Sequence, residues 1–245
     1  MSEALKQILE NSNRVVFFGG AGVSTESGIP DFRSEQGLYS AMHNYGHPPE
    51  TILSNSFFNR NPELFFTYRK ENMMHPDAKP NAAHFALVRL EQAGKLTAVV
   101  TQNIDGLHQK AGSKTVFELH GSMNRNYCVA CGKKYPMDYI LSPTRAKGSV
   151  PLCEACDGIV RPDVVLFEEP LDQSVWSGAL AAIAEADTLI VGGTSLAVYP
   201  AASLLHYFKG KNLVLINKGS TSFDSRANLV VNDSIGKVLA EAVPE

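Results

Sequence analysis

The 245-residue sequence predicts an α/β protein: a doubly wound, mostly parallel Rossmann-like sheet with a smaller inserted zinc-ribbon and helical module. Three observations predict it. Short β-branched runs recur along the chain, and helical patterns separate most of them, which is the alternation of a parallel sheet. The first run ends in glycines, as a strand does when it feeds a phosphate-cradling turn. Two paired-cysteine knuckles fall together in a stretch that breaks the alternation.

The bulk numbers fit that class. Apolar residues make up 44% and charged residues 19%, ordinary for a soluble globular protein, and the length suits one large core with a smaller insertion. A net charge of −3 with no basic run gives no electrostatic reason to expect nucleic acid or an anionic membrane as partner. No stretch of about 18 apolar residues occurs. The opening "MSEALKQILENSNR" lacks the charged-then-apolar layout of a signal peptide, so the expected location is the cytoplasm. Nothing suggests an obligate interface, and a monomer is expected.

Taken in order, Leu5, Ile8 and Leu9 space out an amphipathic helix before the first strand, "RVVFFG" (Arg14–Gly19). Five further runs read as buried strands: "LTAVVT" (Leu96–Thr101), "TVFELH" (Thr115–His120), "DVVLF" (Asp163–Phe167), "TLIVGG" (Thr188–Gly193) and "NLVLIN" (Asn212–Asn217). "NAAHFALVRLEQAG" reads as a helix closing on Gly94. "DQSVWSGALAAIAEA" reads as a helix capped by Asp172, and "PAASLLHYFKG" as one with Pro200 in its first turn. Residues 37–80, rich in Asn, His, Pro and Phe, and residues 124–158, which hold every cysteine, are read as insertions forming the small module. The remaining segments, 1–36, 81–123 and 159–245, form the Rossmann-like domain.

Cys128-Val-Ala-Cys131 and Cys153-Glu-Ala-Cys156 are separated by 21 residues. Each knuckle folds two thiolates toward one point, and two knuckles complete a tetrahedron around zinc. Neither knuckle contains a His or Asp to leave an open catalytic position, so the expected ion is structural.

In open α/β sheets the ligand lies outside the carboxyl ends of the strands. Those exits carry Gly20-Ala21-Gly22-Val23-Ser24, Thr101-Gln102-Asn103-Ile104-Asp105, His120-Gly121, Gly193-Thr194-Ser195 and Asn217. Any one of them is more often structural than functional; their recurrence at one edge is the informative fact. Threonine (Thr25) stands where a dinucleotide fingerprint has its third glycine. No Asp or Glu occurs from Gly37 to Pro49, where a redox enzyme keeps its ribose-binding acid. Both features count against hydride transfer. His120 is either a core histidine or a general base, and Asp105 either a loop cap or an acceptor for a carboxamide.

These pieces resemble the sirtuins, NAD-dependent protein lysine deacylases. "GAGVS" (Gly20–Ser24), "GIPDFR" (Gly28–Arg33), "KPNAAH" (Lys79–His84), "TQNID" (Thr101–Asp105), "HG" (His120–Gly121), the cysteine pairs, "GTSLAVYP" (Gly193–Pro200) and "IN" (Ile216–Asn217) occur in family order over nearly the whole chain. The resemblance implies that NAD is consumed by breaking its nicotinamide–ribose bond. Ala21, Gly22 and Thr25 would lie along the pyrophosphate and ribose, with Gly20 and Ser24 in the same turn. Arg33 would sit near the phosphates, and Phe32 over the reacting ribose. Asn103, Ile104 and Asp105 would line the nicotinamide pocket, and Gln102 would face the nicotinamide ribose. Gly193, Thr194, Ser195 and Asn217 would hold the adenosine half, with Ser234 and Ile235 beside the adenine.

The resemblance further implies that the acyl-lysine carbonyl oxygen attacks the anomeric carbon as nicotinamide leaves, giving an alkylimidate. His120 then takes a ribose hydroxyl proton, and water completes release of lysine and 2′-O-acetyl-ADP-ribose. The acetylated peptide would add as a strand beside "DVVLFEEPL". There the family's F-G-E is Phe167-Glu168-Glu169; a side chain at Glu168 either crowds the peptide or turns its carboxylate to solvent and attracts basic residues flanking the lysine, and the second is expected. Family members that favour acidic acyl groups share a Tyr-x-x-Arg pair; here the stretch is Phe66-Thr67-Tyr68-Arg69, which favours a neutral acyl group, though these aromatics also suit a helix core. An NAD-dependent oxidoreductase, a mono-ADP-ribosyltransferase and a zinc-ribbon binding module are the alternatives.

Overall fold

The computed structural model describes residues 2–31 and 42–244. Helix α1 (Ser2–Glu10) leads into strand β1 (Val15–Gly19). Four short helices follow, α2 (Met42–Tyr45), α3 (Pro49–Ile52), α4 (Asn55–Arg60) and α5 (Pro62–Asn72). Then come α6 (Ala82–Gln92), β2 (Leu96–Thr101), α7 (Leu107–Ala111) and β3 (Val116–Glu118). The cysteine region holds β4 (Gly121–Cys128), β5 (Lys134–Pro136), α8 (Met137–Leu141), the two-residue strands β6 (Ala146–Lys147) and β7 (Val150–Pro151), and β8 (Val160–Val164). The chain closes with α9 (Gln173–Glu185), β9 (Thr188–Gly192), β10 (Asn212–Ile216), β11 (Leu229–Val231) and α10 (Ile235–Ala242).

Six strands form one sheet in the order β11-β10-β9-β1-β2-β3, and every neighbouring pair is parallel. From β1 the chain winds outward through β2 and β3, then returns to the other side of β1 with β9. Strand order therefore reverses between β1 and β9, where open sheets of this kind bind their ligands.

The pleat divides the core. Val15 and Phe17 of β1 point to one face, packed with Leu5 and Leu9 of α1, Leu87 and Leu90 of α6, and Val238 and Leu239 of α10. Val16 and Phe18 point to the other, against Ala179 and Ile183 of α9 and Leu204 and Leu205. All four β1 side chains are fully buried, each contributing about 1.5–3 kcal/mol. Two smaller apolar clusters stand apart: one gathers Ile52, Phe57, Phe58, Phe65 and Tyr68 with Val150 and Leu166, the other Cys128, Tyr135, Tyr139, Ile140, Cys153 and Val160.

Local signals explain the helix starts. Asp172 caps α9, accepting from the N–H groups of Ser174 at 2.8 Å and Val175 at 3.0 Å. Asn81 caps α6 in a reciprocal box with His84, whose Nδ1 accepts from the Asn81 N–H at 3.2 Å.

Three expectations shift. "DVVLF" is not a strand of the large sheet: β8 pairs antiparallel with β4 in a separate three-stranded sheet, setting Val160 opposite Cys128. An apolar run of five residues carries no information on which sheet it joins. "PAASLLHYFKG" forms a 3₁₀ helix over Ala201–Tyr207 rather than an α-helix; seven residues of periodic pattern fit either. The edge strand β11 pairs with β10 from a segment too short to stand out in sequence.

One buried pair has a measurable consequence. His84 and His108 lie with ring centroids 4.7 Å apart, 0% and 1% exposed. Burial lowers the His84 pKa to about 4; burial and the neighbouring His84 lower that of His108 to about 3. An unfolded imidazole titrates near 6.5, so between those values the unfolded chain binds protons that the folded one refuses. Stability is then full above pH ~6.5 and falls as pH drops toward ~4, by roughly 3 kcal/mol per imidazole. Protonating His84 at Nδ1 would also end its acceptance from the Asn81 N–H, one half of the capping box. Urea titrations at stepped pH should show this slope, and His108→Phe should flatten it; an unchanged slope in the variant would refute the assignment.

Candidate functional site

The glycine turn after β1 owes its shape to close backbone approach. The Gly22 N–H donates to the Gly193 carbonyl at 2.8 Å, and that of Gly20 to Gly192 at 3.2 Å. A Cβ on Gly22 would lie 2.8 Å from the Gly193 Cα, and one on Gly193, at φ +60°, 2.4 Å from the Val23 nitrogen. Bare backbone thus lets the exits of β1 and β9 cross. The turn runs into two 3₁₀ turns, Ala21–Val23 and Thr25–Ser27, rather than a long helix, and the Thr25 hydroxyl donates to the Gly22 carbonyl at 3.0 Å.

Beside it a cavity of about 1000 Å³ opens along the strand exits, at the upper end of small-molecule sites. Its lining includes Gly20, Ala21, Gly22, Ser24, Thr25, Gln102, Asn103, Ile104, Asp105, His120, Gly193, Thr194, Ser195, Asn217, Ser234 and Ile235. Every residue expected at the cofactor site meets there except Phe32 and Arg33, which lie outside the described residues.

Side-chain bonds knit the lining together. Asp105 accepts from the Ser24 hydroxyl at 2.7 Å and the Leu107 N–H at 2.8 Å, and Asn103 Nδ2 donates to the same hydroxyl at 3.1 Å. Burial raises the Asp105 pKa, while those two hydrogen bonds and nearby His75 work the other way. Gln102 Nε2 donates to the Thr194 hydroxyl at 3.1 Å, tying the β2 exit to that of β9. Asn217 Nδ2 donates to the Gly219 carbonyl at 2.8 Å, and Ser234 begins α10.

His120 follows β3 by two residues, and its Nδ1 sits 2.9 Å from the Gln102 carbonyl oxygen. A carbonyl only accepts, so Nδ1 carries the proton and Nε2 keeps its lone pair. Burial lowers the His120 pKa, with the Gln102 carbonyl partly opposing. The carbonyl thus fixes one tautomer of the neutral ring, and burial favours that neutral form. Gly121 beside it takes φ +76°, and a Cβ there would fall 2.0 Å from the Asp163 carbonyl oxygen.

The four cysteines form no disulfide, and their sulfurs all lie within 4.8 Å of one another. Cys128–Cys156 and Cys131–Cys153 are separated by 3.5 and 3.6 Å. Zinc–sulfur bonds of about 2.3 Å place tetrahedral sulfurs roughly 3.8 Å apart, so the donor set and spacing fit one structural zinc.

Around "FEE" the structure adds a contact to the expectation. Glu168 is exposed, as expected, and its carboxylate also accepts from Ser56, from the N–H at 2.8 Å and the hydroxyl at 2.9 Å. Glu169 pairs with Arg161 at 2.7 Å. Phe66 and Tyr68 are packed in the small aromatic cluster. Arg69 is wholly buried over the Phe65 ring, its centre 5.4 Å from the centroid; burial, then Arg161, lowers its pKa to about 9.

Two linking residues escaped the sequence reading. The Glu26 carboxylate accepts from the Gly236 N–H at 3.0 Å, fastening the glycine turn to α10 across 210 positions. Asn81 Nδ2 donates to the Val23 carbonyl at 2.8 Å and the Ser27 hydroxyl at 3.0 Å. "KPNAAH" holds a visible signal for Asn81 as a cap; Glu26 offers none.

A large cavity at the reversal of strand order, with an imidazole oriented by the backbone at its edge, is the arrangement in which doubly wound α/β proteins bind nucleotide ligands. The Sir2 family model matches residues 20–200, and the chain belongs to that family. It is 62% identical over 240 residues to an NAD-dependent protein deacetylase of Clostridium perfringens, covering 98% of this chain and 97% of the relative. It is 58% identical over 239 residues to one of Clostridium acetobutylicum, covering 98% and 96%. Among solved structures, it superposes with a TM-score of 0.90 on a Sir2 variant holding deacetylated p53 peptide and 3′-O-acetyl ADP ribose, at 39% identity, covering 98% and 96% of the two chains. A Sir2 with p53 peptide and NAD+ gives 0.87 at 40% identity, covering 98% and 95%.

Proposed function

We propose that this protein is an NAD-dependent protein lysine deacetylase that passes the acetyl group to ADP-ribose and releases nicotinamide. The observation that carries the reading is His120, whose ring is oriented by the Gln102 carbonyl on the same cavity that the β1 and β9 exits line. The relatives' deacetylase names and the Sir2 neighbours with NAD+ and acetylated product support it.

In this reading NAD lies across the reversal point. Gly20, Ala21, Gly22 and Thr25 lie along the pyrophosphate, and Thr194, Ser195 and Asn217 hold the adenosine half with Gly193, Ser234 and Ile235. Asn103, Ile104 and Asp105 enclose the nicotinamide, with Ser24 fixing both polar side chains. Phe32 covers the reacting ribose and Arg33 approaches the phosphates. The acetyl-lysine oxygen displaces nicotinamide at the anomeric carbon to give an imidate, and Nε2 of His120 takes the proton of a ribose hydroxyl, whose oxygen attacks the imidate carbon. Lysine then leaves as the free amine, and water adds to that carbon, breaking its bond to the anomeric oxygen and leaving the acetyl ester on the ribose. The first ester is at the 2′ position; migration between adjacent hydroxyls relates it to the 3′ ester seen in the Sir2 neighbour. Cys128, Cys131, Cys153 and Cys156 hold a zinc that takes no part in the chemistry. Phe66, lacking a hydroxyl beside Arg69, suits a neutral acyl group. The separate apolar clusters support a division into a Rossmann-like unit and a small module. Among the described residues no helix is long and apolar enough to cross a membrane, and we place the protein in the cytoplasm.

Mass spectrometry of an acetyl-lysine peptide with and without NAD tests the reading. NAD-dependent loss of acetyl, matched one to one by nicotinamide and O-acetyl-ADP-ribose, is expected. Nicotinamide release with the acetyl group intact would instead indicate an ADP-ribosyltransferase.

A further inference from the structure

The segment beside the cavity that carries Glu168 has a specific geometry. The Glu169 N–H donates to the Leu166 carbonyl at 3.0 Å, closing a turn over residues 166–169. Glu168 is third in that turn, at φ +76°, a place where type II turns call for glycine and where a long L side chain is rare.

What holds Glu168 there is its own side chain. Each carboxylate oxygen takes one donor of Ser56, at the start of α4. The flanking residues bind the same stretch. The Phe167 N–H donates to Leu53 and its carbonyl accepts from Asn55, both at 3.0 Å. Glu169 accepts from the Asn55 side chain at 2.7 Å. Three consecutive residues are thus fastened to the turn Leu53–Ser56. The backbone N–H and C=O of Glu168 take no partner among the described residues, and Glu168 lines the cavity. A free main-chain pair on a fixed segment is what an added strand requires.

We propose that Glu168 is a positioning residue for the peptide substrate: a latch whose carboxylate, held by Ser56, fixes the turn so that its main chain is presented to an incoming strand. The inference rests on the deacetylase reading. Where glycine at this position leaves the turn free to sample other conformations, the latch keeps one arrangement before the peptide arrives, so the ordering cost of binding is met in advance.

The test compares wild type with Glu168→Gly, Glu168→Ala and Ser56→Ala in steady-state deacetylation at saturating NAD, with thermal melts to monitor folding. Glu168→Gly should raise the peptide KM about ten-fold, equivalent to about 1.4 kcal/mol, while kcat changes less than about two-fold and the KM for NAD holds. Glu168→Ala should be worse, since it loses the tether and keeps the unfavourable φ. Ser56→Ala should fall between, one donor remaining. A peptide KM within about two-fold of wild type in Glu168→Gly, or a loss carried by kcat, would overturn the latch. Fluorescence anisotropy of a labelled acetyl-lysine peptide reads the same interaction without turnover. An inactive wild type therefore refutes the deacetylase reading, and unchanged anisotropy in the variants refutes the latch.

Discussion

Replacing His120 with alanine is expected to leave a folded protein that binds NAD and deacetylates about 10²–10⁴-fold more slowly. His120 contributes little to the core: it is partly exposed to the cavity and its one side-chain bond is to the Gln102 carbonyl. Its loss removes the only imidazole that meets the Gln102 carbonyl among the described residues, and with it the acceptor for the ribose hydroxyl proton. The earlier bond change, departure of nicotinamide, needs no proton from this group. Nicotinamide release should therefore survive better than product formation. The pH profile of the wild type provides a second check. The imidazole is active when neutral and burial lowers its pKa, so activity should hold to lower pH than a free histidine allows, then fall as protonation begins. Wild-type-like deacetylation by the alanine variant would remove His120 from the mechanism.

Cys153→Ser should cost as much through a different route. Cys153 is fully buried, and its sulfur accepts from the Tyr135 hydroxyl at 3.2 Å. The region between β4 and β8 has a small apolar cluster, two of whose members are cysteines themselves. Structural zinc sites of this kind are worth about 10–16 kcal/mol, comparable with the whole stability of an ordinary domain, about 5–15 kcal/mol. A site with three ligands should lose its zinc, and residues 124–158 should become sensitive to protease. Peptide turnover should fail with them, because β8 continues directly into the turn at residues 166–169. Metal analysis, limited proteolysis and activity on one sample would decide it. A zinc-free variant with full activity would show that the four sulfurs hold nothing the fold depends on.

The parts of the molecule legible in sequence are those where one residue type has one physical use. The alternation of runs and helices gave the sheet, and Asp172 marked the start of α9 as read. Paired cysteines brought their sulfurs together. Polar residues at the ends of β1, β2, β9 and β10 converge on one cavity, because parallel strands put their exits on one edge. Position within the fold was less legible. "DVVLF" is apolar enough for any sheet, and its pairing with β4 depends on how the cysteines fold the chain back. Glu26 joins Gly236 across most of the sequence through one backbone N–H, which leaves no trace in composition or spacing. Glu168 is exposed as the sequence suggests, but its bonds to Ser56, more than a hundred residues earlier, could not be read from it.

The bond between His120 and the Gln102 carbonyl has an evolutionary corollary. Many catalytic imidazoles are oriented by a carboxylate, a partner that a single codon change can delete. Here the orienting atom belongs to the peptide backbone at the end of β2, and a main-chain oxygen survives every substitution at its own position. Drift at residue 102 can loosen the grip on Thr194 but leaves the tautomer of the base intact. Laboratory selection can thus vary the side chain at residue 102 without losing the atom that orients His120.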